Sequence, residues 1–534
     1  MNKKIILSSG LFLCLSVLIN AQTRKLEYLG GDMSCLHRIE LVPARIFQDI
    51  NGTTVDPIQH MAGKGFNAIR VFVSSDMPLT NPAGFPDNTN VDQRELNYQL
   101  DFGGISEQVN LAIRAKAAGM KVILTLQFGQ SFLTNSWHEN IPKAWLNMTY
   151  TEMLTQLDVE TRRMLTPFMN AEIQPDIIIV ENEADSGMLY EIDNGSGGQA
   201  IRGNLTTDVF SNIATGIYTI WPKCAGYFKR VILSAKAVIT EKGMDNAYTR
   251  FAMHTTSNTA RIRSTYDRIF NQPEINETNY VVNGVDNGVV SIIPADIRNT
   301  KLKDLVDIMG SSEYPAVPAS TSAADIATSL AQFNSDWGYV GSKITSFGKW
   351  TSGPFTGQYK KQGLVVEYAL GNLTETVRIA AVKEFLNEIS NNYPWVIGAL
   401  WWEPEYANNN WYGSTAELYN KVEWNTTTQT WPVFKETSTL VVWGSYGSTA
   451  TAIDETFVGS TINIYPNPLI GKQLTIVGLT GNSTVSLIDV NGNTLKNIEV
   501  GSTQLILNVN LQPGIFIIKI KDSMKTTVKK LLVN

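Results

Sequence analysis

Residues 177–183 read Ile-Ile-Ile-Val-Glu-Asn-Glu. Four consecutive β-branched residues that end in two carboxylates and an amide constrain the fold more than any other stretch of the chain. An apolar run without alternation is the pattern of a strand buried on both faces, as in a parallel sheet. An ionised carboxylate is costly to bury unless it is paired. Glu181, Asn182 and Glu183 are therefore expected to emerge at the C-terminal end of the strand, where an α/β barrel keeps its chemistry. Residues 363–368, Gly-Leu-Val-Val-Glu-Tyr, repeat the design with one acid, Glu367. Either acid alone also reads as a surface acid at a loop start. Together they are the minimum equipment for cleaving a glycosidic bond.

The surrounding chain repeats one phrase. A helix over 57–64 stops at Gly65 and is followed by a strand at 66–73. A helix ending at Ala118 stops at Gly119 and is followed by a strand at 120–126. Helix, glycine and buried strand in succession is the grammar of βα units. Further strands are expected at 27–34, 230–235, 306–310, 363–368 and 397–403, with helices at 150–169, 205–227, 322–336 and 374–391. With 177–183 this makes eight strands, enough to close one (β/α)8 barrel. The stretches 255–300 and 340–358 are too long for simple connections and are expected as loops over the top.

The two ends of the chain read differently. Residues 1–21 have the form of a secretory signal: Lys3 and Lys4, an apolar run, then Ile19-Asn20-Ala21 as the cleavage site. Cys14 lies in the apolar run without small residues before it, which argues against a lipoprotein anchor, and no membrane span is expected in the mature chain. Cys35 and Cys224 then remain, too few for a disulfide framework, and two thiols are expected. Residues 22–435 form the barrel, and 436–461, rich in Thr, Ser and Gly, a linker. From 462 to 534 the pattern is strand alternation with turns at Asn491-Gly492-Asn493 and Pro513-Gly514, a small all-β, immunoglobulin-like sandwich. The net charge of −6 points to neither nucleic acid nor an anionic membrane. With four His, none in metal-ligand spacing, no catalytic metal or other cofactor is expected.

The barrel resembles the endo-β-1,4-galactanases of glycoside hydrolase family 53. The resemblance is carried in order by Gly31-Asp32-Met33-Ser34, Gly65-Phe66-Asn67-Ala68-Ile69-Arg70, Ala115-Lys116-Ala117-Ala118-Gly119-Met120-Lys121-Val122, Pro142-Lys143-Ala144-Trp145, Asn182-Glu183, Asp307-Ile308-Met309-Gly310 with Tyr314-Pro315, Val365-Val366-Glu367 and Trp402-Glu403-Pro404. It implies Glu183 as acid/base and Glu367 as nucleophile of a retaining mechanism. Asn182 would bind the sugar 2-hydroxyl, and Arg70 and Tyr314 would hold Glu367 ionised; Arg70 also reads as a structural ion pair at the mouth. The environments should push the two glutamates apart, Glu183 up and Glu367 down. Asp32 and Gln127 join the candidate binding residues. So does Trp402, one of a possible platform with Trp401 and Tyr406, since alternation lets only one of the two tryptophans face inward. Bacterial relatives imply a structural calcium, which no loop here allows to be assigned.

Several positions depart from the family. Glu181 replaces a usual glycine; by alternation it points with Glu183, where it would raise the Glu183 pKa, or it is a loop acid paired to a base. After strand three the chain reads Gln127-Phe128-Gly129-Gln130-Ser131-Phe132 in place of a phrase with His, two Asp and Trp. Ser234 stands where strand five usually has His, Glu313 where strand six has Tyr, and Phe72 where strand two has a second Arg. The C-terminal part resembles the sorting domain of type IX secretion, through Tyr465-Pro466-Asn467-Pro468, Asp489-Val490-Asn491-Gly492, Leu511-Gln512-Pro513-Gly514-Ile515-Phe516 and Lys529-Lys530-Leu531-Leu532-Val533. Three readings follow: a secreted or cell-surface monomeric galactanase handled by that machinery, the same mechanism on another polysaccharide, or a non-catalytic surface glycan-binding barrel.

Overall fold

The computed structural model describes residues 24–41, 46–74, 104–128, 145, 148–189, 221–257, 259–270, 281–282, 285–286, 294–370, 373–402, 404, 418–422, 433–447 and most of 463–533. Eight strands close into a parallel barrel: β1 Tyr28–Asp32, β2 Ala68–Ser74, β3 Lys121–Gln127, β4 Ile177–Val180, β5 Arg250–Thr255, β6 Ile308–Glu313, β7 Gln362–Tyr368 and β8 Val396–Trp401. Each pairs with its sequence neighbours, and β1 pairs with β8. The residues of 177–180 are fully buried, as the apolar run requires. Inside the barrel Tyr28, Ala68, Ile123, Ile177, Ile179, Ala252, Ile308, Leu364, Val366, Ile397 and Leu400 form a closed core, so the barrel is filled and only its C-terminal mouth is available for chemistry.

The helices begin and end where local chemistry dictates. Asp56 caps the helix Pro57–Gly63 with proline at its first position, and Thr149 and Glu152 make a reciprocal capping box at Tyr150–Asn170. Gly119 and Gly243 take φ of +77° and +72°, the left-handed turn that ends a helix and releases the chain into a strand. At the opposite end of the barrel a side chain before three of the four even strands ties the sheet together. Asn67 Oδ1 accepts from Leu29 N (2.7 Å), Asp176 Oδ2 from Val122 N (2.9 Å) and Asp307 Oδ2 from Phe251 N (3.0 Å). Each of these residues precedes an even strand and caps the first amides of the odd strand before it.

Four expectations are corrected. Residues 230–235 are not strand five but lie within the helix Trp221–Glu241. Cys224, Tyr227, Phe228, Val231, Ile232, Ala235, Val238 and Ile239 are buried at helical spacing, so the 3.6-residue period overrides the short apolar run. Strand five is Arg250–Thr255, again after a helix and a glycine. The stretch 255–300 is not all loop, because it holds the helix Thr259–Phe270. Residues 340–346 end the helix Ala331–Ser346, and the loop that follows lies at the N-terminal end of the barrel, with the Phe355 ring 4.7 Å from the Arg250 guanidinium, rather than over the top.

The linker expected from residue 436 is also corrected at its start. Ser438–Gly444 is a helix on the barrel: Trp443 is fully buried, donates from Nε1 to Gly30 O (3.0 Å) and stacks on Tyr368. Truncating a buried tryptophan of this kind costs about 3–5 kcal/mol, so a barrel cut at 435 would lack part of its own core. Residues 1–21 and 448–461 lie outside the described residues. Cys35 and Cys224 are buried thiols.

The C-terminal part consists of two antiparallel sheets. With β9 Asn463–Tyr465, β10 Gln473–Val477, β11 Ser483–Ile488, β12 Thr494–Val500, β13 Gln504–Asn508, β14 Gly514–Lys521 and β15 Thr526–Val533, the orders are β9-β10-β13 and β12-β11-β14-β15. Leu474, Ile476, Val485, Leu487, Leu507, Ile518, Ile520 and Leu531 build a core separate from that of the barrel. Alternation along β11, buried at every other residue, is the half-buried pattern of a sandwich strand.

Candidate active site

The mouth is organised by one fully buried guanidinium. Arg70, on β2, donates from Nη1 to Glu367 Oε1 (2.7 Å), from Nη2 to Asn182 Oδ1 (2.7 Å) and from Nε to Thr125 Oγ1 (2.9 Å); Asp32 Oδ2 lies 3.4 Å from Nη1. Its carbon centre sits 4.1 Å from the centroid of Phe72. Phe72 thus supports the flat face of Arg70. Alternation along β2 and β3 brings Arg70, Phe72, Thr125 and Gln127 to the same side.

Glu367 reaches the mouth through an irregularity. Leu364 and Val366 both fill the barrel interior, so strict alternation would turn Glu367 outward. The pairing of β7 slips on both sides: Ser311 faces Val365 but Ser312 faces Glu367, and Val365 faces Ala399 while Tyr368 faces Trp401. This bulge re-aims the acid inward. Its Oε1 accepts from Arg70, and its Oε2 from the Tyr314 hydroxyl (2.6 Å).

Glu183 follows β4. Both Glu181 and Glu183 take left-handed backbone, with φ of +63° and +46°. Such positions in non-glycine residues cost of order 1–3 kcal/mol each and concentrate at functional sites. The left-handed turn at 181 also breaks the alternation expected there. Glu181 Oε2 accepts from Phe128 N (3.0 Å), which ties the end of β4 to the end of β3. The carboxylates that raise the Glu183 pKa are instead Glu367 and Asp185. Burial is the largest cause, and the Glu183 carboxyl is pushed up to about 8. Asp185 accepts from Thr256 N (3.0 Å) and lies 3.3 Å from Arg261.

One hydroxyl joins the acids. Ser312 Oγ, on β6, is 2.6 Å from Glu183 Oε1, 3.2 Å from Glu367 Oε2 and 2.9 Å from His254 Nε2. His254 Nδ1 is 2.9 Å from Asn182 Oδ1. Glu183, Glu367 and His254 each bring one polar atom to within 4.8 Å of the others, with Ser312 in contact with all three. Carboxyls this close suit a retaining rather than an inverting pair, which needs room for a water.

The remaining candidates separate. Asp32 lies against Arg70 and accepts from Ser34 N and Oγ (3.0 and 2.6 Å); burial pushes its carboxyl up to about 6. Gln127 is fully buried at the end of β3, and among the described residues neither end of its amide has a hydrogen-bond partner. Trp401 packs between barrel and helices against Tyr368 and Trp443, whereas Trp402 is half-buried with its ring edge-on to Phe72. Glu313 faces away from the mouth, where Ser311 Oγ (2.7 Å) and Trp337 Nε1 (3.0 Å) donate to it. Phe132, Glu403 and Tyr406 lie outside the described residues. His254, Ser312, Thr125 and Asp185 were not singled out from the sequence. His254 was legible, because the phrase Gly243 to Thr255 repeats the helix-glycine-strand grammar, and it supplies the histidine that Ser234 lacks. Ser234 itself bonds Asp158 on the helix layer.

The model of glycosyl hydrolase family 53 matches residues 28–495, and that of the secretion system C-terminal sorting domain matches 463–534. The chain is 23% identical over 446 residues to the probable arabinogalactan endo-β-1,4-galactanase A of Aspergillus fumigatus, covering 80% of this chain and 96% of that one. It is 22% identical over 206 residues to the endo-β-1,4-galactanase of Bacillus subtilis, 37% of this chain and 43% of that one. A solved fungal β-1,4-galactanase aligns over 79% of this chain and 99% of its own at 18% identity, with a TM-score of 0.48. Among the described residues no helix is long and apolar enough to cross a membrane. The sorting domain marks an exported protein, secreted or held at the cell surface, and with a closed barrel carrying two acids at its mouth the chain belongs to glycosyl hydrolase family 53 and is a glycoside hydrolase.

Proposed function

We propose that this chain is a retaining endo-β-1,4-galactanase that acts on the galactan of type I arabinogalactan and pectin side chains, exported by the type IX machinery. The observation that carries the mechanism is the asymmetry of the two acids. Glu367 receives hydrogen bonds from Arg70 and Tyr314, which stabilise a carboxylate, whereas Glu183 is buried beside that negative charge and holds its proton. Glu367 attacks the anomeric carbon as Glu183 gives its proton to the departing glycosidic oxygen, leaving a glycosyl-enzyme ester and a Glu183 carboxylate. Water then attacks the same carbon, Glu183 takes its proton, and the ester bond to Glu367 breaks. Asn182 has its oxygen committed to Arg70 and His254, so its amide NH2 is the end that donates to the sugar 2-hydroxyl. Trp402 offers a partly open ring face for a sugar. Asp32 and Gln127 line the same mouth.

The substrate is supported by the names of the relatives. The departures at Gln127 and Phe72 favour a second reading in which another plant or bacterial polysaccharide is cut by the same pair. Reducing-end release by the mature chain on β-1,4-galactan, arabinogalactan, mannan, xylan and β-glucan, with Glu367→Gln alongside, tests both. Cleavage of galactan that is lost in the variant supports the proposal. Cleavage of another polymer moves the specificity, and glycan binding without cleavage of any polymer overturns the enzymatic reading.

A further inference from the structure

We propose that Arg70, acting through Asn182, His254 and Ser312, sets the direction of a hydrogen-bond chain that makes Glu183, rather than Glu367, the carboxyl that carries the proton. His254 and Ser312 are then positioning residues for the acid, and the inference rests on reading Glu183 as that acid. The direction follows from where each hydrogen must sit. A guanidinium only donates, so the Asn182 atom 2.7 Å from Arg70 Nη2 is its oxygen. The same oxygen is 2.9 Å from His254 Nδ1, so that nitrogen carries a hydrogen. The Glu183 backbone N–H also donates towards Nδ1, at 3.3 Å, and competes for that nitrogen; the Asn182 contact is the shorter by 0.4 Å and sets the tautomer.

A neutral imidazole with its hydrogen on Nδ1 has a bare Nε2. Nε2 faces Ser312 Oγ at 2.9 Å, so the single Ser312 hydrogen is directed to His254. Ser312 then has only lone pairs to offer its other neighbours, so its longer 3.2 Å approach to Glu367 Oε2 holds no hydrogen in this arrangement. Its closest contact, 2.6 Å to Glu183 Oε1, is satisfied when Glu183 is protonated and donates to Ser312. Glu367, the other candidate for that proton, meets donors on both oxygens. One arginine therefore presents a donor to the nucleophile and, at the far end of the chain of contacts, an acceptor to the acid. The charged groups that act on Glu183 are Glu367 on β7, Asp185 just beyond β4 and Arg70 on β2.

The test is the pH profile of kcat/KM, measured on the polymer on which Glu367→Gln is inactive. Removing the bare Nε2 with His254→Leu frees the Ser312 hydrogen to donate to Glu183, which favours its carboxylate. The alkaline limb is expected to move to lower pH by roughly one unit, the scale of one hydrogen bond. His254→Gln, whose amide oxygen can accept in place of Nε2, is expected to restore it. An upward shift overturns the proposal, because His254 would then be acting as a positive charge or as a donor. No shift, with Glu367→Gln inactive, also overturns it and leaves the proposed function standing; an active Glu367→Gln overturns the proposed function instead. For variants that do not fold, nitrogen NMR of the four histidines in the wild-type chain decides the same question. A neutral His254 protonated on Nδ1 supports the chain, and protonation on Nε2 or on both nitrogens overturns it.

Discussion

The barrel has a buried arginine at each end, and the two ends differ in how their charges balance. At the mouth Arg70 is surrounded by Asp32, Asn182 and Glu367, with Glu183 and Asp185 close behind. Carboxylates outnumber the guanidinium there, and burial raises Asp32, Asp185 and Glu183. At the opposite end Arg250 donates to the Tyr28 hydroxyl (2.7 Å), to Glu27 (3.1 Å) and to Gln362. Lys121 also meets Glu27, Lys116 meets Asp176, and Lys361 acts on Asp307. Each acid at that end has a base, although burial also raises Asp307. The same residue type plugs both ends, but only the end left with surplus buried carboxyls is equipped to hold and release a proton.

The sharpest way to break this comparison is to remove each arginine. Arg70→Met is expected to lower kcat on the responsive polymer by about 10³-fold or more, since the nucleophile and the hydrogen-bond chain to the acid both lose their anchor. Arg250→Met is expected to leave kcat per folded molecule unchanged and to cost about 1–3 kcal/mol in urea unfolding, because Tyr28 and Gln362 lose a buried donor while Glu27, partly exposed, keeps Lys121. If the two variants behaved alike, the distinction between the ends would fail.

Glu183→Gln sharpens it from the stability side. A carboxyl raised from 4.5 to about 8 in the folded state holds a proton that the unfolded chain has released. The folded state binds more protons across that window, so stability is highest below pH 4.5 and falls as pH rises towards 8. The variant removes that loss and is expected to be more stable at pH 7 by about 1–3 kcal/mol, while its activity on the polymer falls by about 10²–10⁴-fold. A melting temperature at pH 7 below that of the wild type would contradict it. The smallest effect is expected at Glu313, raised to about 7 by burial with Ser311 and Trp337 as donors. Its sign is the same: stability declines from pH 4.5 to about 7, and Glu313→Gln should flatten that decline by about 1–2 kcal/mol without changing the pH profile of catalysis. Thermal melts from pH 4 to pH 8 read both variants.

Much of this was legible from short patterns. The run 177–180, its echo at 363–366 and the recurring helix-glycine-strand phrase are local statements about period and burial, and seven of the eight strands lie where those patterns place them. The eighth was missed because 230–235 satisfies a strand reading in isolation, while the longer window 221–241 satisfies a helix. The tryptophans at 401 and 402 separated as alternation requires, one into the helix layer and one towards the mouth. The linker was misread because its composition resembles a spacer, although Leu440 and Trp443 are spaced to lie on one helical face against the barrel.

By itself the sequence determined the architecture, the two acids and the arginine that serves them, because apolar period, glycine stops and strand-end carboxylates are properties of neighbouring residues. Tertiary structure alone decided where the side chains at the strand ends point. The slip in pairing around Val366 turned Glu367 inward, the left-handed backbone at Glu181 took that carboxylate to the end of β3, and the approach of β5 and β6 placed His254 and Ser312 against Glu183. The physical reason is that a side chain's direction at the end of a strand depends on its register against two neighbours, and those neighbours come from distant parts of the chain.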